Sequence, residues 1–255
     1  MFANERQQQV TEMIRKHGAV TVSTLMNTFG VSIETVRRDL LALEKQGVLT
    51  RVHGGAVTKN DMKPFLGLSQ RNKEYEAQKR ELALAAMSYI ENGDIIAIDS
   101  GSTAIVFAET LRERFSRLTV VTHSLDVFHL LCNYNEIRVI LCGGHYLRSE
   151  NAFYGALTLD MLNQLHVQKA FLFPSAVSLD GGIADFEKDL FQVQRELFAC
   201  ADAVFVLADS SKFEKKGLLK VDDMRREYHY ITDSNLSEEL QQLYRENSIQ
   251  LTVGV

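Results

Sequence analysis

The sequence predicts an α/β protein in two parts: a small helix-turn-helix unit closed by a hairpin wing, joined to a larger Rossmann-like unit on a mostly parallel sheet. Three observations carry that prediction. In the first sixty residues, short apolar stripes of helical period are separated by Gly18 and Gly30. From residue 94 onward, apolar runs of five or six residues, rich in β-branched and aromatic side chains, alternate with amphipathic stretches. Between the two lies "TKNDMKPFLGL", a polar stretch holding one of only two prolines in the chain.

A first helix is expected in "NERQQQVTEMIRKHG", with Val10, Met13 and Ile14 on one face. Thr21 is a candidate N-cap for a second, which buries Leu25, Met26 and Phe29 and stops at Gly30. Ser32 can cap a third, with Glu34 in its first turn to suit the helix dipole. Val36, Leu40 and Leu43 then recur at i, i+4 and i+7 as its buried stripe. "VLTRV" and "AV" flank "HGG" as two strands around a glycine turn. Beyond the polar stretch, Ser69 opens one long helix, running to about residue 90 and closed by Asn92-Gly93. "DIIAID", "RLTVVT", "IRVILC", "KAFLFPSA", "AVFVLAD" and "YHYIT" then read as strands, with helical segments between most of them. Short apolar strands alternating with helices imply a parallel sheet covered on both faces. The expected boundaries are residues 1–58 for the first domain, 59–68 for a linker and 69–255 for the second.

At 255 residues and 45% hydrophobic content there is material for one large core or two smaller ones. Cys132, Cys142 and Cys200 form no C-x-x-C pair, which argues against a zinc or disulfide framework and for a reducing compartment. The polar N-terminus lacks a signal-peptide core, and no apolar run reaches membrane-spanning length, so a cytoplasmic protein without a membrane partner is expected. The formal net charge is -5, but it is unevenly placed. Residues 1–60 hold eight Lys/Arg against five Asp/Glu, and five of those bases fall between Arg37 and Lys59. A small basic module thus precedes an acidic body.

On the third helix the positions left outside the buried stripe are Glu34, Thr35, Arg37, Arg38 and Lys45. Arginines pair with guanine edges or phosphates in a major groove, and short hydroxyl side chains suit close approach. Arg51, His53 and Gly54 would form the tip of a wing. The same spacing also fits a solvated basic face on a small helical subdomain.

The stretch "VSIETVRRDLLALEKQGVLTRVHGGAV" resembles the N-terminal signature of the DeoR family of bacterial transcriptional repressors, which carries a T-[IV]-R-R-D-L core and an R-x-H-G-G-A wing. The resemblance implies that Ser32, Thr35, Arg37 and Arg38 face double-stranded operator DNA, with Arg51 and His53 on the wing. Thr21, Glu34 and Gly54 complete the candidate DNA-facing set. It further implies that Asp39 is structural, orienting a neighbouring arginine.

In the larger unit, four polar or glycine-bearing turns each follow a predicted strand: "DSGSTA", "THS", "GGH" and "DSSKF". Ligands of open α/β sheets bind at the carboxyl ends of strands, so these turns are expected to converge on one crevice. The candidates are Asp99, Ser100, Gly101, Ser102 and Thr103, then Thr122, His123 and Ser124, then Gly143 and Gly144, and Lys212. "DSGSTA" runs straight into a helix, an arrangement that suits a phosphate. Neither G-x-G-x-x-G nor G-x-x-x-x-G-K-[ST] occurs, and no cofactor or metal is expected. "IDSGST", "VVTHS", "ILCGG" and "LADSSKF" resemble the same family's sensor domain, related to ribose-5-phosphate isomerase-like folds, which implies a phosphorylated sugar as effector and a homodimer or homotetramer. Two departures stand out. His123 replaces the family's usual Asn, and Pro174-Ser175 stands where a glycine is usual, so both bear on the choice of effector. His123 is either a ligand contact or a buried, satisfied ring. The alternatives are a sugar-phosphate isomerase-like enzyme, whose general base would come from Asp99, Asp185, Glu187 or Asp209, and a winged helix that docks protein instead of DNA.

Overall fold

A computed structural model describes residues 3–17, 19–52, 54–58 and 67–254; His53 and nearly all of the expected linker lie outside them. The N-terminal unit is α1 (Ala3–His17), β1 (Ala19–Thr21), α2 (Val22–Phe29), α3 (Ile33–Lys45), β2 (Leu49–Val52) and β3 (Gly55–Thr58). The expected caps form. Thr21 Oγ1 accepts from the Thr24 N–H at 3.0 Å and Ser32 Oγ from the Thr35 N–H, while α2 ends at Gly30 with φ +63°. Val10, Ile14, Leu25, Val36, Leu40, Leu43 and Leu49 close one small core. The wing has three antiparallel strands, in the order β1-β3-β2, because Val20 pairs with Ala56. β1 is too short to show in the sequence pattern.

Asp39 is buried, and its partner is Arg6 of α1, thirty-three residues away, not a neighbouring arginine on α3. Gln7 Nε2 donates to the second carboxylate oxygen at 3.1 Å. The bond to Asp39 holds the Arg6 guanidinium above its ordinary range, against the penalty of burial.

The expected long helix is broken. α4 (Leu68–Arg71) and α5 (Glu76–Ala86) are separate, because Tyr75 adopts a left-handed φ of +54°. The buried Lys79 fills the break, donating from Nζ to the carbonyls of Arg71 and Glu74. A further turn of 3-10 helix, Met87–Tyr89, leads to the sheet.

The rest runs β4 (Ile95–Ile98), α6 (Ser102–Arg114), β5 (Leu118–Thr122), α7 (Leu125–Leu131), β6 (Ile137–Leu141), β7 (His145–Leu147), β8 (Ala152–Tyr154), α8 (Ala156–Leu162), β9 (Val167–Leu172), β10 (Ala176–Ser178), β11 (Gly182–Asp185), α9 (Phe191–Ala199), β12 (Ala201–Leu207), β13 (Leu219–Asp222), β14 (His229–Thr232), α10 (Glu238–Glu246) and β15 (Gln250–Val253). Seven strands form one parallel sheet in the order β15-β14-β12-β9-β4-β5-β6. Its central strands read as largely apolar runs because both faces are buried, whereas the edge strands β6 and β15 are partly exposed. Along β12, Val204 and Val206 enter the core under α8, α9 and α10, whereas Phe205 and Leu207 enter the one under α5, α6 and α7. Phe171 of β9 stacks on Phe205 at 4.9 Å and meets Phe107 of α6 at 4.7 Å.

Two smaller sheets escape the sequence pattern: the hairpin β7-β8, and the antiparallel sheet β10-β11-β13. The second reaches the wing. Phe186 and Leu218 pack with Val57 of β3, flanked by Val52 and Leu219. Gly55 permits this approach, since a Cβ there would lie 2.2 Å from the Val20 carbonyl oxygen and 2.8 Å from Leu218. Among the described residues no helix is long and apolar enough to cross a membrane. Cys142 and Cys200 are buried, and burial pushes both thiols up to about 11.

Asp39→Ala should strand a buried guanidinium and destabilise the N-terminal unit by roughly 3 kcal/mol. Urea unfolding followed by circular dichroism, with Arg6→Met/Asp39→Leu as the repacked control, checks this; equal losses in both variants would show that the pair is not the cause.

Candidate effector cleft and DNA-reading surface

α3 presents an exposed row. Ser32, Glu34, Arg37 and Arg38 are exposed, Thr35 is half-buried at the first turn, and Thr21 is half-buried at the start of α2. Glu34 and Arg37 pair at 3.1 Å with more than half of each side chain in solvent, so the contact is worth little and can be exchanged for another anion. Arg38 stands beside them. Arg51 is tied down: its N–H and its Nε donate to Glu44 at the end of α3, at 2.9 and 2.7 Å. Against the cost of partial burial, these bonds hold the Glu44 carboxyl below its usual range. Gly54 is exposed on the described edge of the wing, and its nearest sensor neighbour is Lys188.

The second site follows from strand order. From β4 the chain moves outward through β5 and β6, then returns to lay β9 along the other edge of β4. The loops after β4 and β9 therefore part in opposite directions and leave a crevice at the carboxyl end of the sheet. A cleft of about 270 Å³, counting the space open to solvent, lies there. Ser100 and Gly101 line it from the loop after β4, and Phe173 and Ser175 from the loop after β9. Asp185 and Glu187 come from the end of β11, Leu190 and Gln194 from α9, Glu150 from the β7-β8 hairpin and Arg71 from α4.

Gly101 sits at the N-cap of α6 with φ +108°, a conformation that L side chains rarely adopt. A Cβ there would lie 3.7 Å from Arg71 Nη1. Gly101 thus sets the start of α6 at the cleft wall, beside a guanidinium. Ser102 and Thr103 are buried in the first turn of α6, and Thr103 Oγ1 has no hydrogen-bond partner. Arg71 Nη2 donates to both oxygens of the buried Glu150. Burial pushes the Glu150 carboxyl up; Arg71 opposes the rise and the charges of Asp185 and Glu187 add to it. Behind Arg71, burial, with Lys212 nearby, pushes Lys79 down to about 8.

Asp185 is held on several sides: Oδ1 accepts from Ser175 Oγ and the Phe186 N–H, both at 2.7 Å, and Oδ2 accepts from Gln194 Nε2 at 2.9 Å. Gln194 Nε2 also reaches Asp99 Oδ2 at 3.4 Å. Asp99 lies just beneath the cleft floor with His123. The His123 Nδ1 donates to the Phe153 carbonyl at 3.0 Å, and Nε2 meets Asp99 Oδ1 at 2.9 Å. With no exposed surface and both nitrogens engaged, His123 fits the second expectation, a buried and satisfied ring.

Of the four turns expected to converge, only the first lines the cleft. Thr122 and Ser124 are buried structural groups: Thr122 Oγ1 donates to the Ile98 carbonyl, and Ser124 caps α7. Gly143 accepts from Thr158, and Gly144 packs against Thr158 and the Tyr154 carbonyl. Lys212 lies 3.7 Å from Asp209. Arg71, Glu150 and Gln194 carry no local sequence signal, because each is brought in by tertiary structure. Asp185 and Glu187 stand out in the sequence only as general-base candidates. Among the described residues no cluster of His, Cys, Asp and Glu is arranged to hold a metal.

An exposed arginine-bearing helix over a three-stranded wing, on an α/β domain with a cleft at its switch point, defines a winged helix-turn-helix regulator with a sensor domain. Comparison with known proteins bears this out. Residues 6–61 match the DeoR-like helix-turn-helix domain, and residues 74–234 match the DeoR C terminal sensor domain. The chain belongs to the DeoR family and is a DNA-binding transcriptional regulator. It is 30% identical to the L-fucose operon activator of Haemophilus influenzae, over 96% of this chain and 98% of that one. It is also 30% identical to the lactose phosphotransferase system repressor of Lactococcus lactis subsp. lactis, over 93% of each. Ribose 5 phosphate isomerase A from Neisseria gonorrhoeae aligns at a TM-score of 0.41 and 19% identity, over 54% of this chain and 53% of that one.

Lys79 offers a test of the electrostatics beside the cleft. An unfolded lysine keeps its proton to about pH 10.4, whereas Lys79 in the folded chain releases it near pH 8. Between these values the unfolded state binds more protons, so this group makes the protein more stable as pH rises, by at most roughly 3 kcal/mol. Thermal melts from pH 7 to 10.5 should rise relative to those of Lys79→Met; parallel curves would refute the assignment.

Proposed function

We propose that this protein represses a carbohydrate-metabolism operon, with a phosphorylated sugar bound at the switch-point cleft controlling its hold on operator DNA. The cleft carries the effector half of the reading: the start of α6 and the Arg71 guanidinium on one wall suit a phosphate. Arg37 and Arg38, exposed on α3, support the DNA half together with Ser32, Thr35, Arg51 and the wing edge at Gly54. The division into residues 1–58 and 69–255, joined by 59–68, follows the same two roles.

The protein acts in the cytoplasm and without turnover. A sensor needs only a difference in affinity between two states. Relatives spanning nearly the whole chain are named as regulators, which disfavours the isomerase-like alternative. One of them is named an activator, so the sign of control is itself to be measured. A homodimer or homotetramer is expected, and Leu157 and Met161, exposed one turn apart on α8, offer an apolar strip to a second copy.

Gel shifts on the DNA upstream of the protein's own gene should give a specific complex that weakens steeply with salt. Arg38→Ala should cost about tenfold or more in affinity. A panel of sugar phosphates should release the complex, and Gly101→Val should block release while operator affinity stays unchanged. Binding indifferent to salt and to Arg38 would refute the DNA reading, and release that survives Gly101→Val would refute the placement of the effector.

A further inference from the structure

The cleft is chemically lopsided. One wall carries Arg71 and the α6 N-terminus; the other carries Asp185 and Glu187. Arg71 is the one cation among the described residues lining it, and that guanidinium already binds Glu150 through both carboxylate oxygens. Asp185 and Glu187 therefore face the cavity with no side-chain cation of their own, and both are more than nine-tenths buried.

Gln194 adds an independent sign that something is to be bound there. It is 5% exposed, and its Nε2 is committed to Asp185 and Asp99, which fixes the orientation of the amide. Its Oε1 is left buried with no hydrogen-bond partner in a residue that lines the cleft. A buried acceptor without a donor is costly, so a bound molecule should supply one. This wall thus offers two carboxylates and an amide oxygen. A hydroxyl would bring one hydrogen and no charge, whereas an ammonium brings three donors and a compensating positive charge.

Given the proposed reading of this cleft as the sugar-phosphate site, we propose that its ligand is an amino-sugar phosphate: the phosphate lies at the α6 N-terminus and Arg71, and the free amine is recognised by Asp185, Glu187 and Gln194 Oε1.

The test is isothermal titration of the full chain with matched pairs, glucosamine 6-phosphate against glucose 6-phosphate, and galactosamine 6-phosphate against galactose 6-phosphate. At least one amino member should bind about tenfold or more tightly than its hydroxyl partner, the scale of one charge-assisted contact. Glu187→Gln should bring the ratio of amino to hydroxyl affinities close to one. Asp185→Asn should do the same where its melting temperature is retained; Glu187→Gln decides the matter if it is not, since Asp185 also holds Ser175 and Gln194 in place. Equal binding of amino and hydroxyl members would overturn the amine assignment and leave the cleft as a sugar-phosphate site. Equal preference in Glu187→Gln and the parent would overturn the residue assignment. Binding of none of the four would overturn the reading of the cleft and this inference with it.

Discussion

The pairing of β4 with β9 is the constraint on which the larger domain depends. Ile96, Ala97 and Ile98 pair with Lys169, Ala170 and Phe171, although the chain between them first builds β5 and then β6, at the far edge of the sheet. That single long return makes the loops after β4 and β9 diverge. It brings Gly101 and the start of α6 to one side of an opening and Ser175 to the other. The aromatic cluster of Phe107, Phe171 and Phe205 packs in the core on the α5–α7 face and meets Phe173 of the cleft through Phe107. Everything placed in the cleft, from Arg71 to Gln194, is placed relative to this seam.

Electrostatics supply the second layer. Several buried ionisable side chains meet an ionisable partner: Arg6 with Asp39, Arg71 with Glu150, His123 with Asp99. Each pair joins segments far apart in the chain. Others are held by hydrogen bonds alone, as Lys79 is by two carbonyls and Asp233 by Ser210 and Asn235.

Much of the fold was legible because period and burial coincide. The central strands of the main sheet are largely apolar runs, since a strand covered on both faces has no polar side to show. Thr21 and Ser32 could be read as caps, because capping is decided within three residues. What escaped was decided at long range. The break between α4 and α5 depends on Tyr75 and on Lys79 reaching back to two carbonyls, so a stretch rich in helix formers still bends. β10, β11 and β13 are short and belong to a sheet whose strands are up to forty residues apart, although "SLDGGI" carried the turn signal of a hairpin. Of the candidate ligand set, Ser100 and Gly101 line the cleft, whereas His123, Gly143, Gly144 and Lys212 are not among its lining residues. Sequence shows that a turn follows a strand; only strand order says which turns meet.

The seam between wing and sensor carries a consequence of its own. Asp185 and Glu187 face the cleft, and Phe186, between them, faces Val57 of the wing. A backbone threaded between two surfaces in this way has no slack. Rolling it to bring a carboxylate nearer to a bound molecule rolls the phenyl ring by a similar angle beneath the wing, as meshed gear teeth turn together. Along the chain, the residues that face the cleft and the one that packs against the wing are immediate neighbours.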